Sequence, residues 1–219
     1  MKIGIVEDQI FYQRYLADVV TELGFTVACI CKDGDEALQA CVENRIDFLL
    51  LDLRIPKLHG LEVARCIMEK LPHVRILAFS GEISPYNIKL VETLGILGYL
   101  DKSDPSMEDE GFLVEAIKKV ARGERCYSPN IEQLRSKIFR SPDAFDKLLS
   151  PKKIEILKRI ARCMTDEEIS EDMDLSAHTI RKHRSEMMQY LNLDTTHALI
   201  RYAQKLGLDQ SSEDKFPIS

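Results

Sequence analysis

Short apolar runs and helical spacings alternate along the first 120 residues. Residues 2–6 are a β-rich run that stops at Glu7-Asp8. Residues 10–23 carry Phe11, Tyr15, Val19 and Leu23 at helical spacing and stop at Gly24. A second strand is predicted over 26–31 and a helix over 33–41, with Ala37, Leu38 and Cys41 on one side. Phe48 to Leu51 is a continuous apolar run ending abruptly at Asp52, the signature of a strand buried on both faces of a parallel sheet. Ile55-Pro56 then breaks the pattern, and Gly60 opens the next helix, to Lys70. Two more strand–helix pairs follow: strands at 74–79 and 98–100, helices at 86–94 and 108–122. Five alternations predict a doubly wound parallel five-stranded α/β sheet with helices on both faces.

Beyond Arg122 the pattern changes. Residues 122–130 have turn chemistry, and 131–139 carry a short apolar stripe that Arg140-Ser-Pro-Asp interrupts. Residues 126–147 therefore read as a partly helical linker between a first domain, 1–125, and a second, 148–209. From Leu149 onward the spacing is purely helical. Ser150-Pro151 reads as a cap with proline in the first turn, and Thr165-Asp-Glu-Glu168 as a capping box. Ser176 and Thr195 cap two further helices, the last stopping at Gly207. Four short helices, two of them joined by a tight turn, predict an all-α helix-turn-helix domain. The polar stretch 210–219 reads as a loose tail.

Composition narrows the classes. Apolar residues at 45% and charged residues at 30% fit a globular chain long enough for two cores. No apolar run reaches the roughly 18 residues of a membrane span, and the acids Glu7 and Asp8 interrupt any signal-peptide centre, so the expected location is cytoplasmic. The net charge of −6 resides entirely in residues 1–125, while 126–219 is neutral. Nucleic-acid binding by the second half therefore needs a local basic patch. Six cysteines occur without a Cys-x-x-Cys pair, and they read as buried free thiols. Cys29 and Cys31 would share one strand face.

The chemistry gathers at strand ends. The first strand ends at Glu7 and Asp8, the third at Asp52, the fourth at Ser80 and the fifth just before Lys102. In a doubly wound sheet these carboxyl ends converge on one rim. Each residue alone serves as well as a cap or a solvated charge. Together, three carboxylates need a cation, and oxygen-only ligands suit Mg²⁺. A lysine and a hydroxyl facing that site are what an incoming phosphoryl group requires. In the second half, Arg181-Lys-His-Arg184 lies just after the start of the third helix, where a recognition helix meets the major groove. The same residues fit a solvated basic face.

Residues 1–125 resemble the receiver domain of bacterial two-component response regulators, a flavodoxin-like fold. The matching residues are Glu7-Asp8, Asp52 followed by Leu-Arg-Ile-Pro and Gly60, Ser80-Gly81, and Tyr99-Leu-Asp-Lys102. The resemblance implies that a sensor histidine kinase phosphorylates Asp52. Glu7, Asp8, Asp52 and the main-chain carbonyl of Arg54 would hold Mg²⁺, and Lys102 would pair with the phosphoryl group. Ser80 and Tyr99 would act as the switch, and Arg54 and Glu82 would tune phosphoryl lifetime. Ile55, His59 and Ser103 depart from the family's usual Met, acid and Pro. Residues 148–208 resemble the LuxR-type helix-turn-helix of NarL/FixJ-family regulators, through Leu149-Ser-Pro, Glu155-Ile-Leu157, Glu168-Ile169, Leu175-Ser176, Thr179-Ile-Arg-Lys-His-Arg184 and residues 203–208. By that likeness Arg181, Lys182 and Ser185 face bases of double-stranded DNA, with His183 and Arg184 supporting or touching phosphate. Residues 196–205 would make a homodimer contact. The acidic pair Asp166-Glu167 departs from the family's Asn and basic residue, which weakens phosphate affinity.

The expected function is a phosphorylation-controlled, DNA-binding transcription regulator, not an enzyme beyond slow self-dephosphorylation. The alternative is a phosphorylation-independent DNA-binding or interaction protein whose receiver-like domain only dimerises. A phosphohydrolase with Asp52 as nucleophile is disfavoured, because Arg54 stands where such enzymes place a second aspartate. No Gly-rich phosphate loop or nucleophile elbow accompanies it.

Overall fold

The structure is a computed structural model that describes residues 1–81, 83–140, 149–191 and 193–209, without the side chains of Glu110 and Arg140. The expectations for the tail at 210–219, for Glu82 and for the linker residues 141–147 lie outside the described residues. The chain forms two compact units, Met1–Ile83 with Asn87–Leu134, and Arg135–Ser219 with Ser84–Tyr86. Among the described residues, no helix is long and apolar enough to cross a membrane.

The first unit is a parallel sheet in the order β2-β1-β3-β4-β5-β6. Its strands are β1 (Lys2–Val6), β2 (Thr26–Cys31), β3 (Phe48–Asp52), β4 (Arg75–Ser80), β5 (Gly98–Asp101) and β6 (Cys126–Tyr127). The helices between them are α1 (Ile10–Glu22), α2 (Gly34–Asn44), α3 (Gly60–Lys70), α4 (Pro85–Leu94) and α5 (Glu110–Ala121), and α6 (Pro129–Arg140) follows β6. Ile3, Ile5, Phe48 and Leu50 face one side of the sheet and pack with Leu16 and Val20 of α1 and Leu113, Ile117 and Val120 of α5. The alternate positions, Leu49 and Leu51, are equally buried and point to the opposite face. That double burial is why β3 carries no polar residue before Asp52.

Five strands were expected, and six are present. β6 pairs in parallel with β5, Gly98 opposite Cys126 and Tyr99 opposite Tyr127. Two residues cannot show a period, so the sequence read only a turn there. The hydrogen bonds Cys126 N to Leu97 O (3.0 Å) and Ser128 N to Tyr99 O (3.2 Å) hold it in place.

The strand order reverses at β1, so the loops after β1 and β3 diverge and leave a crevice at their carboxyl ends. The β3–α3 loop is fixed by Gly60, whose N–H donates to Leu53 O at 3.0 Å. A Cβ on Gly60 would stand 2.5 Å from the Asp52 carbonyl oxygen, so only glycine admits this close return. His59 caps α3, its Nδ1 accepting from Leu61 N at 3.3 Å. That gives this departure from the family pattern a local role.

The second unit contains α7 (Pro151–Ala161), α8 (Asp166–Asp172), α9 (Ala177–Tyr190) and α10 (Thr196–Lys205). Its core includes Ile156, Leu157, Ile160, Ile169, Ile180, Met187, Leu199 and Ala203. The capping box of Thr165 with Glu168 is formed, and Ser176 and Thr195 accept from Thr179 N and Ala198 N. Ser150 stands at the N-cap of α7, but its side chain makes no cap hydrogen bond.

Candidate functional site

At the β1/β3 crevice the sheet gathers the residues that its strand ends carry. Glu7 and Asp52 are buried and Asp8 is exposed, and carboxylate oxygens of all three lie within 4.8 Å of one another. The Lys102 ammonium donates to Asp52 Oδ2 at 2.6 Å and to Glu7 Oε2 at 2.7 Å. The other Asp52 oxygen accepts from Arg54 N at 2.8 Å, which brings the Arg54 peptide to the rim. Ser80 is fully buried at the end of β4, and its carbonyl accepts from Lys102 N at 2.9 Å. Glu7, Asp8, Asp52 and Lys102 thus meet in one crevice, with Ser80 at the end of the strand beside it.

The electrostatics are unbalanced. Among the described contacts, three carboxylates face the Lys102 ammonium. Burial, with repulsion from Asp52, raises the pKa of Glu7 despite the hydrogen bond from Lys102. Burial works against the charge of Lys102 too, but its bonds to Asp52 and Glu7 outweigh it, and its pKa is raised. An oxygen-only donor set with surplus negative charge fits a hard divalent ion such as Mg²⁺. The exposed Asp8 leaves the site open on one side, as an ion that keeps several waters requires.

Tyr99 is completely buried. This is the ring that the resemblance made part of the switch. Burial pushes its hydroxyl pKa up. The Asn87 and Ser80 side chains face that hydroxyl, but none of the described groups closes a hydrogen bond on it.

Several residues that support the site were not singled out in the sequence. The Tyr12 and Phe79 rings lie 4.5 and 5.1 Å from the Lys102 ammonium and wall it from water. Gln9 N donates to Glu7 Oε1 at 3.2 Å, and the Gln13 amide donates to Glu7 O at 2.6 Å. Beyond Lys102, Asp101 accepts from Ser103 N and Oγ at 2.8 and 2.6 Å and from the Asn130 amide at 3.2 Å. Ser103 thus fixes the turn at the position where the family resemblance led one to expect proline. The Gln9 and Gln13 contacts had a faint signal in their nearness to Glu7. Phe79 had one too, as the neighbour of Ser80. The Tyr12 and Asn130 contacts had none.

In the second unit α9 presents two kinds of basic residue. Arg181, Lys182 and Ser185 are exposed. Arg181 and Ser185, four apart, share a face. Arg184 is drawn in instead, its Nε and Nη2 donating to Asp166 Oδ1 at 2.9 and 2.6 Å. Asp166 thus clamps α8 to α9, and Arg181 Nε lies 3.9 Å from its other oxygen. His183 is half-buried, with Nδ1 3.7 Å from Glu186 Oε2 and without a hydrogen-bond partner among the described residues.

Two family descriptions match the chain. "Response regulator receiver domain" matches residues 3–118, and "Bacterial regulatory proteins, luxR family" matches residues 147–203. Response regulator GacA of Pseudomonas viridiflava is 30% identical over 91% of this chain and 91% of its own length. Oxygen regulatory protein NreC of Staphylococcus epidermidis is 28% identical over 95% of this chain and 99% of its own. Among solved structures, RcsB of Salmonella enterica serovar Typhimurium, bound to a promoter in the presence of phosphomimetic BeF3-, matches with a TM-score of 0.65. That match has 22% identity and covers 92% of this chain and 97% of that one.

Proposed function

Because the chain belongs to the response regulators, with a receiver domain followed by a LuxR-type domain, and is a phosphorylation-controlled transcription regulator, we propose that Asp52 is its phosphoacceptor. On this reading residues 1–125 receive the signal, 148–209 read DNA and 126–147 connect them. The observation that carries it is the Lys102 ammonium bridging Asp52 and Glu7, 2.6 and 2.7 Å away. That point charge already stands where a phosphoryl group on Asp52 would need one.

Glu7, Asp8, Asp52 and the Arg54 carbonyl are the proposed Mg²⁺ ligands. An ion held there would supply positive charge to neutralise the phosphoryl oxygens. The chain's own residues do the rest. The Asp52 carboxylate attacks phosphorus, and the phosphoryl donor's leaving group departs. Arg54 N–H fixes the orientation of the carboxylate through the oxygen it already holds. Lys102 exchanges a carboxylate partner for a phosphoryl oxygen, and the Tyr12 and Phe79 rings keep that exchange out of bulk water. Ser80 is the hydroxyl donor to another phosphoryl oxygen. Phosphorylation replaces one carboxylate charge by nearly two and adds acceptor oxygens, so Ser80 and the buried Tyr99 ring are drawn toward one packing.

A sensor histidine kinase is the proposed donor in the cytoplasm. Arg181, Lys182 and Ser185 are the proposed base-facing residues, with His183 in support. Arg184, clamped by Asp166, orients α9, and α10 is the proposed homodimer contact on DNA. The test is DNA selection on the purified chain with and without acetyl phosphate and Mg²⁺, alongside phosphoryl labelling. Labelling is expected to disappear in Asp52→Ala, and sequence-specific retention in Arg181→Ala with Lys182→Ala. Equal labelling of Asp52→Ala would overturn the phosphoacceptor assignment, and unchanged footprints would overturn the recognition helix.

A further inference from the structure

The three cysteines of β2 and α2 form a cluster that the signalling chemistry does not use. Cys29 and Cys31 alternate along β2, and Cys41 comes from α2 on the same side. Their sulfurs lie within 4.8 Å of one another, and Cys29 Sγ is 3.9 Å from Cys41 Sγ. All six cysteines are free thiols.

Two backbone features make room for this meeting. The β1–β2 register slips between Ile3 and Gly4, so that Gly4 and not Ile5 stands beside Cys29. A Cβ on Gly4 would lie 3.3 Å from both the Cys29 and the Cys41 sulfur, and 3.1 Å from Ile46. A glycine and a bulge together open the space the sulfurs occupy. Packing alone asks only for small apolar volume there and does not require sulfurs from two elements to point at one another.

We propose that Cys29, Cys31 and Cys41 form a three-sulfur site for a soft, thiophilic metal ion of the monovalent-copper class. Thiolates select soft ions over hard ones. With metal–sulfur bonds of about 2.3 Å, a trigonal arrangement places sulfurs ~4 Å apart, close to the separation observed. Zinc wants a fourth ligand in a structural site, and the cluster supplies three. Cys31 and Cys41 are buried, which shields a bound ion from water and oxidant, while half-exposed Cys29 on the edge strand gives a way in. Each metal–sulfur bond that replaces an S–H bond releases that proton to the buffer, and no electron moves. The site is independent of Asp52 chemistry.

The test uses the full chain, reduced and without oxygen, titrated with Cu(I) against a chromophoric Cu(I) chelator. One equivalent per chain is expected to be retained, with X-ray absorption showing three sulfur neighbours. Cys29→Ala and Cys41→Ala are expected to lose that retention, and Cys66→Ala and Cys163→Ala to keep it. Should Cys41→Ala fail to fold, judged by circular dichroism, Cys29→Ala decides, because its half-exposed sulfur is the least needed for packing. Retention unchanged in Cys29→Ala overturns the site. So does no retention by the parent, or stoichiometric Zn(II) binding in preference to Cu(I).

Discussion

Replacing Lys102 by methionine removes the one cation that the described geometry sets between two buried carboxylates. The methionine keeps most of the stem's volume, so the perturbation is chiefly electrostatic. Glu7 and Asp52 then face each other within 4.8 Å. At an effective dielectric of 20 that repulsion is about 3 kcal/mol, the lower end of the roughly 3–5 kcal/mol expected for breaking a buried pair. Arg54 N–H and Gln9 N–H still hold one oxygen of each acid, so a loss of about 3 kcal/mol at pH 8 is expected. The pH dependence has a definite sign. A carboxyl whose pKa is raised in the fold contributes stability that is complete below its ordinary value of 4.5 and is lost as pH rises. Without Lys102 the pKa of Glu7 rises further, so the deficit shrinks as pH falls through that raised pKa and Glu7 takes a proton. Mg²⁺ at 100 times its dissociation constant should restore about 2.7 kcal/mol. Amide hydrogen exchange of β1 and β3 reads the opening free energy of this unit alone. Equal protection in Lys102→Met and the parent at pH 8 would refute the electrostatic account. A deficit that Mg²⁺ fails to reduce would refute the shared carboxylate site.

Two further outcomes follow from the same structure. Gly60→Ala drives a Cβ to 2.5 Å from the Asp52 carbonyl oxygen and 2.6 Å from Leu53 Cα. It should destabilise the first unit by about 2–3 kcal/mol and slow phosphoryl labelling of Asp52, while Gly81→Ala, with open space around it, should do neither. In the second unit, a double-mutant cycle on Arg184→Ala and Asp166→Ala should give a coupling of about 1–3 kcal/mol in thermal or urea unfolding. A coupling near zero would return Asp166 to the role of an acid that merely opposes phosphate.

Much of the site was legible in the sequence, because its pieces sit where periodicity breaks. Asp52 ends a run buried on both faces, and Glu7, Ser80 and Lys102 follow runs of the same kind. A polar residue at the end of such a run can only lie at the rim, so the alternation of strand and helix already assigns all of them to one edge. The caps at Thr165, Ser176 and Thr195 were equally local, since the donor and acceptor are three residues apart in the chain.

The tertiary structure decided whatever depends on residues distant in sequence. β6 is two residues long and exists because β5 offers it an edge. Asp166 read as an acid in the way of phosphate, and only the fold shows that it also clamps Arg184, 18 residues on. Tyr12 walls Lys102 although 90 residues separate them. The three sulfurs of Cys29, Cys31 and Cys41 meet only because a register slip and Gly4 leave room, and neither has a trace in composition or period. Local pattern determines which residues reach a rim or a face. Which of them touch is determined by packing across the sheet, and that is a property of the folded chain.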